Sequence, residues 1–409
     1  MTAAAALLPP NLRRLLAEGR RRRGSLRDIR HVVLLMQQGR SFDHYFGMFS
    51  GVRGFVDPDP LLLPTGLEVF YQPDAESRKG FQLPFHHARH SADARGLPPI
   101  DHGWAVQHRA WNGGRMDQWL SAHSATKGGE AAYAMAYLKR ADIPFHYALA
   151  EAFTLCDGYH ASVMGSAGSN RLHAISGTID PEGRHGGPAH VESMPEEGFG
   201  WKTYPERLEE AGVSWKVYQH GSGSLGFNPL HAFRQFRDAR KGSALQVKGV
   251  SACAEDAFEQ DARQDRLPAV SWLCPPEEAC ERSGRDSAAG AAFIAAKLDA
   301  IAANPDLWAR TAFILNYDGN GGLFDHVPPP VPPAGTPGEF VDGLPIGGGF
   351  RVPCILVSPW TAGGWVCSAP FDHSSVLRFL ERFTGVREPN ISAWRRRTFG
   401  DLSSGFRWT

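Results

Sequence analysis

An α/β fold with a central, mostly parallel β-sheet flanked by helices is what this sequence predicts, and three observations point to it. Short apolar runs recur and stop at turn residues: HVVLLM (31–36), SWKVYQ (214–219), AVSWLC (269–274), TAFILNYD (311–318) and VPCILVSPW (352–360). Their length and Val/Ile/Leu content suit strands buried on both faces, as in parallel sheets covered by helices. Helical patterns lie between them, and 45 glycines with 30 prolines argue for many turns rather than a helical bundle.

The elements follow in chain order. YPERLEEAG (204–212) reads as a helix ended by a glycine. AAGAAFIAAKLDAIAANPDLW (288–308) reads as a long alanine-rich helix stopped at Asn304-Pro305, and DHSSVLRFLERFTG (372–385) opens with an acidic cap and closes on glycine. The stretch 55–110 has little regular pattern and holds His86, His87, His90, His102 and His108; it is expected to be a loop-rich insertion capping the site. A second irregular crossing runs over 326–350. No internal repeat or linker divides the chain, so residues 28–409 are expected to form a single domain.

Residues 1–27 read as a basic N-terminal arm without a signal peptide. The apolar run Ala3–Leu8 is short, and Arg13, Arg14 and Arg20 to Arg23 follow it, the reverse of a secretory signal. A solvated arm and a cytoplasmic location are the expectations. The 43 basic and 43 acidic residues balance, which favours neither a nucleic-acid nor a membrane partner, and no apolar run approaches the ~20 residues of a membrane span. Cys156, Cys253, Cys274, Cys280, Cys354 and Cys367 are scattered without a CxxC pair and are expected to be reduced, with Cys354 a small buried residue.

Sheets of this kind place ligands at the carboxyl ends of their strands. That rule selects Gln37 to Asp43, Asp318 to His326, and Ser358 to Trp360.

Six motifs in order carry a resemblance: IRHVVLLMQQGRSFDHYFGMFSGVRGFVDP, WNGGRMDQWL, NRLHAISGT, NYDGNGGLFDHVPPP, GFRVPCILVSPW and FDHSSVLRFLERFTGVREPNISAWRR. Together they resemble the bacterial phospholipase C and acid phosphatase family of phosphoesterases, from about residue 28 to the C-terminus. The resemblance implies a sheet similar to that of the alkaline-phosphatase superfamily and metal-assisted displacement at phosphorus. It also implies an attacking hydroxyl, histidines that place charge or protons, and a cation held by Glu-Asn after the first strand and Asp-Glu after a late one.

The sequence departs from that pattern where the chemistry lies. Gln38 and Gly39 stand for the Glu-Asn pair, and Asp318-Gly319 for Asp-Glu, so one metal-ligand position keeps its carboxylate. Gly165-Ser166-Ala167-Gly168-Ser169-Asn170-Arg171 puts alanine at the nucleophile, and Cys280-Glu281-Arg282 puts arginine where the family has histidine. A divalent ion is not expected, nor any other cofactor. The small residues Gly39, Ala167 and Gly319 are expected to widen the pocket, with Arg282 turned inward as a positive charge.

The expected acid–base and catalytic residues are His102, His108, Asp318, His326 and His373, with Ser166 as a displaced nucleophile. Gln38, Gly39, Asn112, Ala167, Arg282 and Gly319 are expected to line the substrate. Asp372 is read as a helix cap, Asp43 as a brace of its turn, and Asn170 and Arg171 as scaffold. Three function classes follow. The first is a cytoplasmic enzyme repurposed to metal-independent His/Asp chemistry on a small organic, biosynthetic-type substrate with an anionic group, such as a lyase, isomerase, cyclase or non-phosphate hydrolase. The second is an active phosphoesterase with an unusual site. The third is a catalytically dead binding protein.

Overall fold

The computed structural model describes residues 6–18, 23–88, 97–191, 193–221 and 227–408; Arg20 to Arg22 of the basic cluster and His90 lie outside the described residues. Seven strands form the main sheet: β1 (His31–Gln37), β2 (Thr154–Cys156), β3 (Trp215–Tyr218), β4 (Val270–Leu273), β5 (Thr311–Tyr317), β6 (Cys354–Val357) and β7 (Val366–Cys367). Their spatial order is β7-β2-β6-β5-β1-β4-β3. Strands β3, β4, β1 and β5 run parallel, as do β2 and β7, while β6 is antiparallel to both its neighbours. All seven residues of β5 are buried, which explains its unbroken apolar run.

The reversed strand β6 corrects one sequence expectation. Its carboxyl end points to the opposite edge of the sheet from those of β1 and β5. Ser358 accordingly donates from Oγ to the carbonyl of Thr311, at the start of β5, over 3.0 Å. Ser358 to Trp360 therefore do not join the ligand edge.

The helices that position the site are α1 (Pro10–Ala17), α2 (Phe42–Phe46), α3 (Trp104–Trp111), α4 (Ala167–Ser176), α5 (Ser287–Ala303) and α6 (His373–Thr384). Helices α5 and α6 fall where the sequence pattern put them, and Asp372 caps α6 by accepting from the Ser375 amide. The arm is not wholly solvated. Pro at the first position of α1 suits a helix start, and Leu8 and Leu12 are buried. Asn11 bonds Asp299 of α5 through backbone and side-chain nitrogens at 2.9 and 3.0 Å. Among the described residues no helix is long and apolar enough to cross a membrane.

Candidate functional site

Two turns meet at the carboxyl edge of the central strands. Gln37 and Tyr317 are register partners at the ends of β1 and β5, and the Asp318 amide donates to the Gln37 carbonyl at 3.0 Å. The chain then turns at Gly39 with φ +56°, a left-handed conformation open to glycine and to asparagine. The Gly39 amide donates to Asp318 Oδ1 at 2.9 Å, and Arg171 Nε donates to Asp318 Oδ2 at 2.9 Å. Arg171 also reaches the carbonyls of Met36, Gln37 and Phe227, so it ties α4 to both turns.

That closure decides the fit of a metal. Asp318 is fully buried, and each of its carboxylate oxygens is already taken. Its partners at the other three family positions are a neutral amide and two glycines. A divalent cation needs several anionic oxygens facing one point, and these residues do not supply them. The one compact group of His, Asp and Glu among the described residues, Asp43, Asp325 and His326, excludes Asp318. The Asp318 carboxylate is thus a brace, which corrects its reading as an acid–base group.

Beside the turns opens a cleft of about 660 Å³. Gln38, Gly39, His102, Ser166, Ala167 and Arg282 all line it, so half of the sequence-selected residues converge there. Asp318 and Gly319 do not. Ala167 is the first residue of α4, where amides without helical partners favour an anion. Ser166 caps that helix: its Oγ accepts from the Ser169 amide at 3.4 Å and lies 3.2 Å from Ser169 Oγ. Its described hydrogen bonds reach no imidazole, so nothing there activates it as a nucleophile. His102 is half-buried, and its Nδ1 lies 3.0 Å from the Ile100 carbonyl. A carbonyl can only accept, so Nδ1 carries a proton and donates it to Ile100.

The remaining candidates are held elsewhere. His326 is buried with Nδ1 at 2.6 Å from Asp43 Oδ2 and Nε2 at 3.1 Å from Asp57 Oδ2. Arg351 donates to Asp43 Oδ1 at 2.9 Å and Asp325 Oδ1 at 2.8 Å, which fills the acidic group with a guanidinium. Burial opposes charge on His326, but the Asp43 carboxylate wins and holds its pKa above the ordinary value. Asp43 braces more than its own turn: it joins β1's turn to the segment after β5. His373 is fully buried; its Nε2 donates to the Asp318 carbonyl at 3.0 Å and its Nδ1 accepts from Tyr159 at 3.0 Å. Burial lowers its pKa, so it stays neutral as a strut.

His108 sets its two ring nitrogens against the carbonyls of Trp104 and Pro345, each at 2.8 Å, and burial lowers its pKa. Asn112 ends α3 in a left-handed turn, with its amide on Asp117 Oδ1 at 2.7 Å. Neither His108 nor Asn112 lines the cleft. Arg282 does line it, but its side chain is half-exposed and pairs with Glu277, so it stands at the mouth rather than turned inward as a lone positive charge.

Sequence reasoning missed the apolar wall formed by Pro99, Ile100, Leu172, Val191, Met194 and Phe199. These residues come from three separate segments and carry no local signal. It also missed the buried Glu281 network. There Tyr45 and Tyr317 donate to Glu281 Oε2 at 2.7 and 2.6 Å, and His146 Nε2 lies 3.0 Å from Oε1. The network anchors the segment that carries Arg282 to α2 and β5.

The phosphoesterase family model matches residues 29–387. The chain is 44% identical to the non-hemolytic phospholipase C of Burkholderia pseudomallei, covering all of this chain and 63% of that protein. It is 43% identical to the non-hemolytic phospholipase C of Pseudomonas aeruginosa, with 99% and 61% covered. It is also 42% identical to phospholipase C A of Mycobacterium tuberculosis, with 94% and 78% covered. It therefore spans under two thirds of the length of the first two relatives. Among solved structures, the PsFucS1 sulfatase of Pseudoalteromonas overlaps 99% of this chain and 75% of its own at 12% identity and a TM-score of 0.41. By the family match and these identities, the chain belongs to the phosphoesterase family.

Proposed function

We propose that the chain binds a small organic ester bearing a phosphate or carboxylate in the cleft at the start of α4, and handles it without a divalent cation at the family's metal position. The observation that carries this reading is the closed Asp318 carboxylate, held by Arg171 and the Gly39 amide while residues 38, 39 and 319 offer no negative charge. His102 is the acid–base group of the proposed chemistry, because it is the one imidazole among the described residues that lines the cleft. The apolar wall beside it suits the hydrocarbon part of an amphiphilic ester, the class to which the relatives' phospholipid substrates belong. The proposed location is the cytoplasm, where the six free cysteines stay reduced.

Metal analysis of the full chain, combined with an ester panel that includes p-nitrophenyl phosphate and phosphatidylcholine, tests the proposal. The expected result is no stoichiometric divalent ion, turnover unaffected by EDTA, and loss of turnover in His102→Ala without a change in melting temperature. A bound stoichiometric ion with EDTA-sensitive phosphoester hydrolysis overturns it. A second reading, binding without turnover, is favoured by Ala167, which leaves no hydroxyl at the attacking position. Ligand binding with no product from any ester on the panel selects that reading.

A further inference from the structure

Two arginines at the mouth of the cleft converge on one carboxylate. Arg285 donates to Glu277 Oε1 at 2.6 Å, and Arg282 donates to the same oxygen. All three side chains are 42–50% exposed, so water and solutes reach them. Between the arginines, Ser283 Oγ is shielded from solvent and has no hydrogen-bond partner among the described residues. Arg282, Ser283 and Arg285 all line the same cleft as Ala167. The segment also borders the Gly39 turn closely: a Cβ placed on Gly39 would lie 3.5 Å from Arg282 Cβ.

We infer that Arg282, Ser283 and Arg285 form an anion clamp, currently closed on the chain's own Glu277, that takes a second anionic group of the ligand. The inference rests on the proposed reading of the cleft and deepens it, naming a bis-anionic ligand. One anion sits at the start of α4, and the other displaces Glu277 from the guanidinium pair. Glu277 marks the place where that second anionic oxygen binds, since a guanidinium pair recognises any carboxylate or phosphate by the same charge-assisted hydrogen bonds. Two guanidiniums share the one carboxylate of Glu277, so the trio itself carries one positive charge in excess. Exposed pairs of this kind are held weakly, so an incoming anion exchanges with Glu277 at little cost.

The test compares alkylphosphonates with ω-phosphonocarboxylates of equal chain length, binding to the full-length chain by calorimetry. At the best chain length the added carboxylate is expected to tighten binding about tenfold, the strength of a charge-assisted hydrogen bond pair. Arg285→Gln should abolish most of that gain, with a smaller loss for the alkylphosphonates than for the ω-phosphonocarboxylates. Glu277→Gln should enlarge the gain about threefold by removing the competitor. Both positions are exposed, and unchanged melting temperatures confirm folding. Equal binding of the two probe series, or a gain indifferent to Arg285→Gln, overturns the clamp alone. Failure of both series to bind overturns the clamp together with the cleft reading beneath it.

Discussion

The cleft edge and the buried ion network beside it are built from the same residue types, and they teach opposite lessons. In the network, Arg351 lies fully buried between Asp43 and Asp325, with further bonds to the carbonyls of Arg53 and Asp157 at 2.8 Å and its guanidinium over the Phe42 ring. Each charge there faces an opposite charge or a hydrogen-bond partner. At the cleft edge the acid is likewise closed, by Arg171, but Gly39 and Gly319 beside it carry no side chain. Asp318, His326 and His373 therefore belong to the scaffold, while Gly39, Ala167 and His102 border the opening. A histidine's presence in a motif says nothing about which of these it belongs to; its partners in the fold do.

The largest expected effect tests the network. Arg351→Ala strands two buried carboxylates, and removing one partner of a buried ion pair costs about 3–5 kcal/mol. Urea unfolding should show that loss, while Arg285→Gln, at the exposed mouth, should stay within about 0.5 kcal/mol of the parent. Comparable losses for both would erase the distinction between saturated scaffold and open cleft.

Acid should separate the histidines next. Burial pushes the His160 pKa from 6.5 down to about 4, against the pull of the Gly349 carbonyl. The unfolded chain takes up that proton near 6.5 and the folded chain resists it until about 4. The contribution of His160 is therefore present above pH 6.5 and lost as pH falls toward 4, about 3 kcal/mol in all. His326 has the opposite sign: its raised pKa adds stability that is present below 6.5 and lost as pH rises through its folded value. Melting temperature against pH should accordingly fall on the acid side, and His160→Gln should flatten that limb without touching the alkaline one.

The strands and α5 and α6 were legible because double-sided burial leaves continuous apolar runs and because Asp372 and Gly385 punctuate α6. The reversal of β6 was not, since an antiparallel strand buried on both faces has the same composition as a parallel one. Half the candidate site was legible through motif departures at Gln38, Gly39 and Ala167. The rest hinged on partners distant in the chain. Arg171 and Asp318 are 147 residues apart, and only their 2.9 Å contact shows that the acid is spent. His373 reads as a catalytic imidazole until Tyr159 and the Asp318 carbonyl are found on its two nitrogens.

The smallest expected effect concerns two glycines in one turn. Gly319 has an ordinary negative-φ backbone, and a Cβ there would meet only Asn170 Nδ2 at 3.7 Å and the Gly165 carbonyl at 4.0 Å. Gly321 has φ +63° and would drive its Cβ to 2.5 Å from the Gly39 carbonyl. Gly319→Ala should therefore stabilise the fold by about 0.4–1 kcal/mol, through a less flexible unfolded chain, whereas Gly321→Ala should destabilise it by more than that. Opposite signs would identify Gly319 as a position whose backbone accommodates a side chain, and Gly321 as one where the turn itself requires glycine. Loss of stability in Gly319→Ala would mean that the room read beside Asp318 is not there.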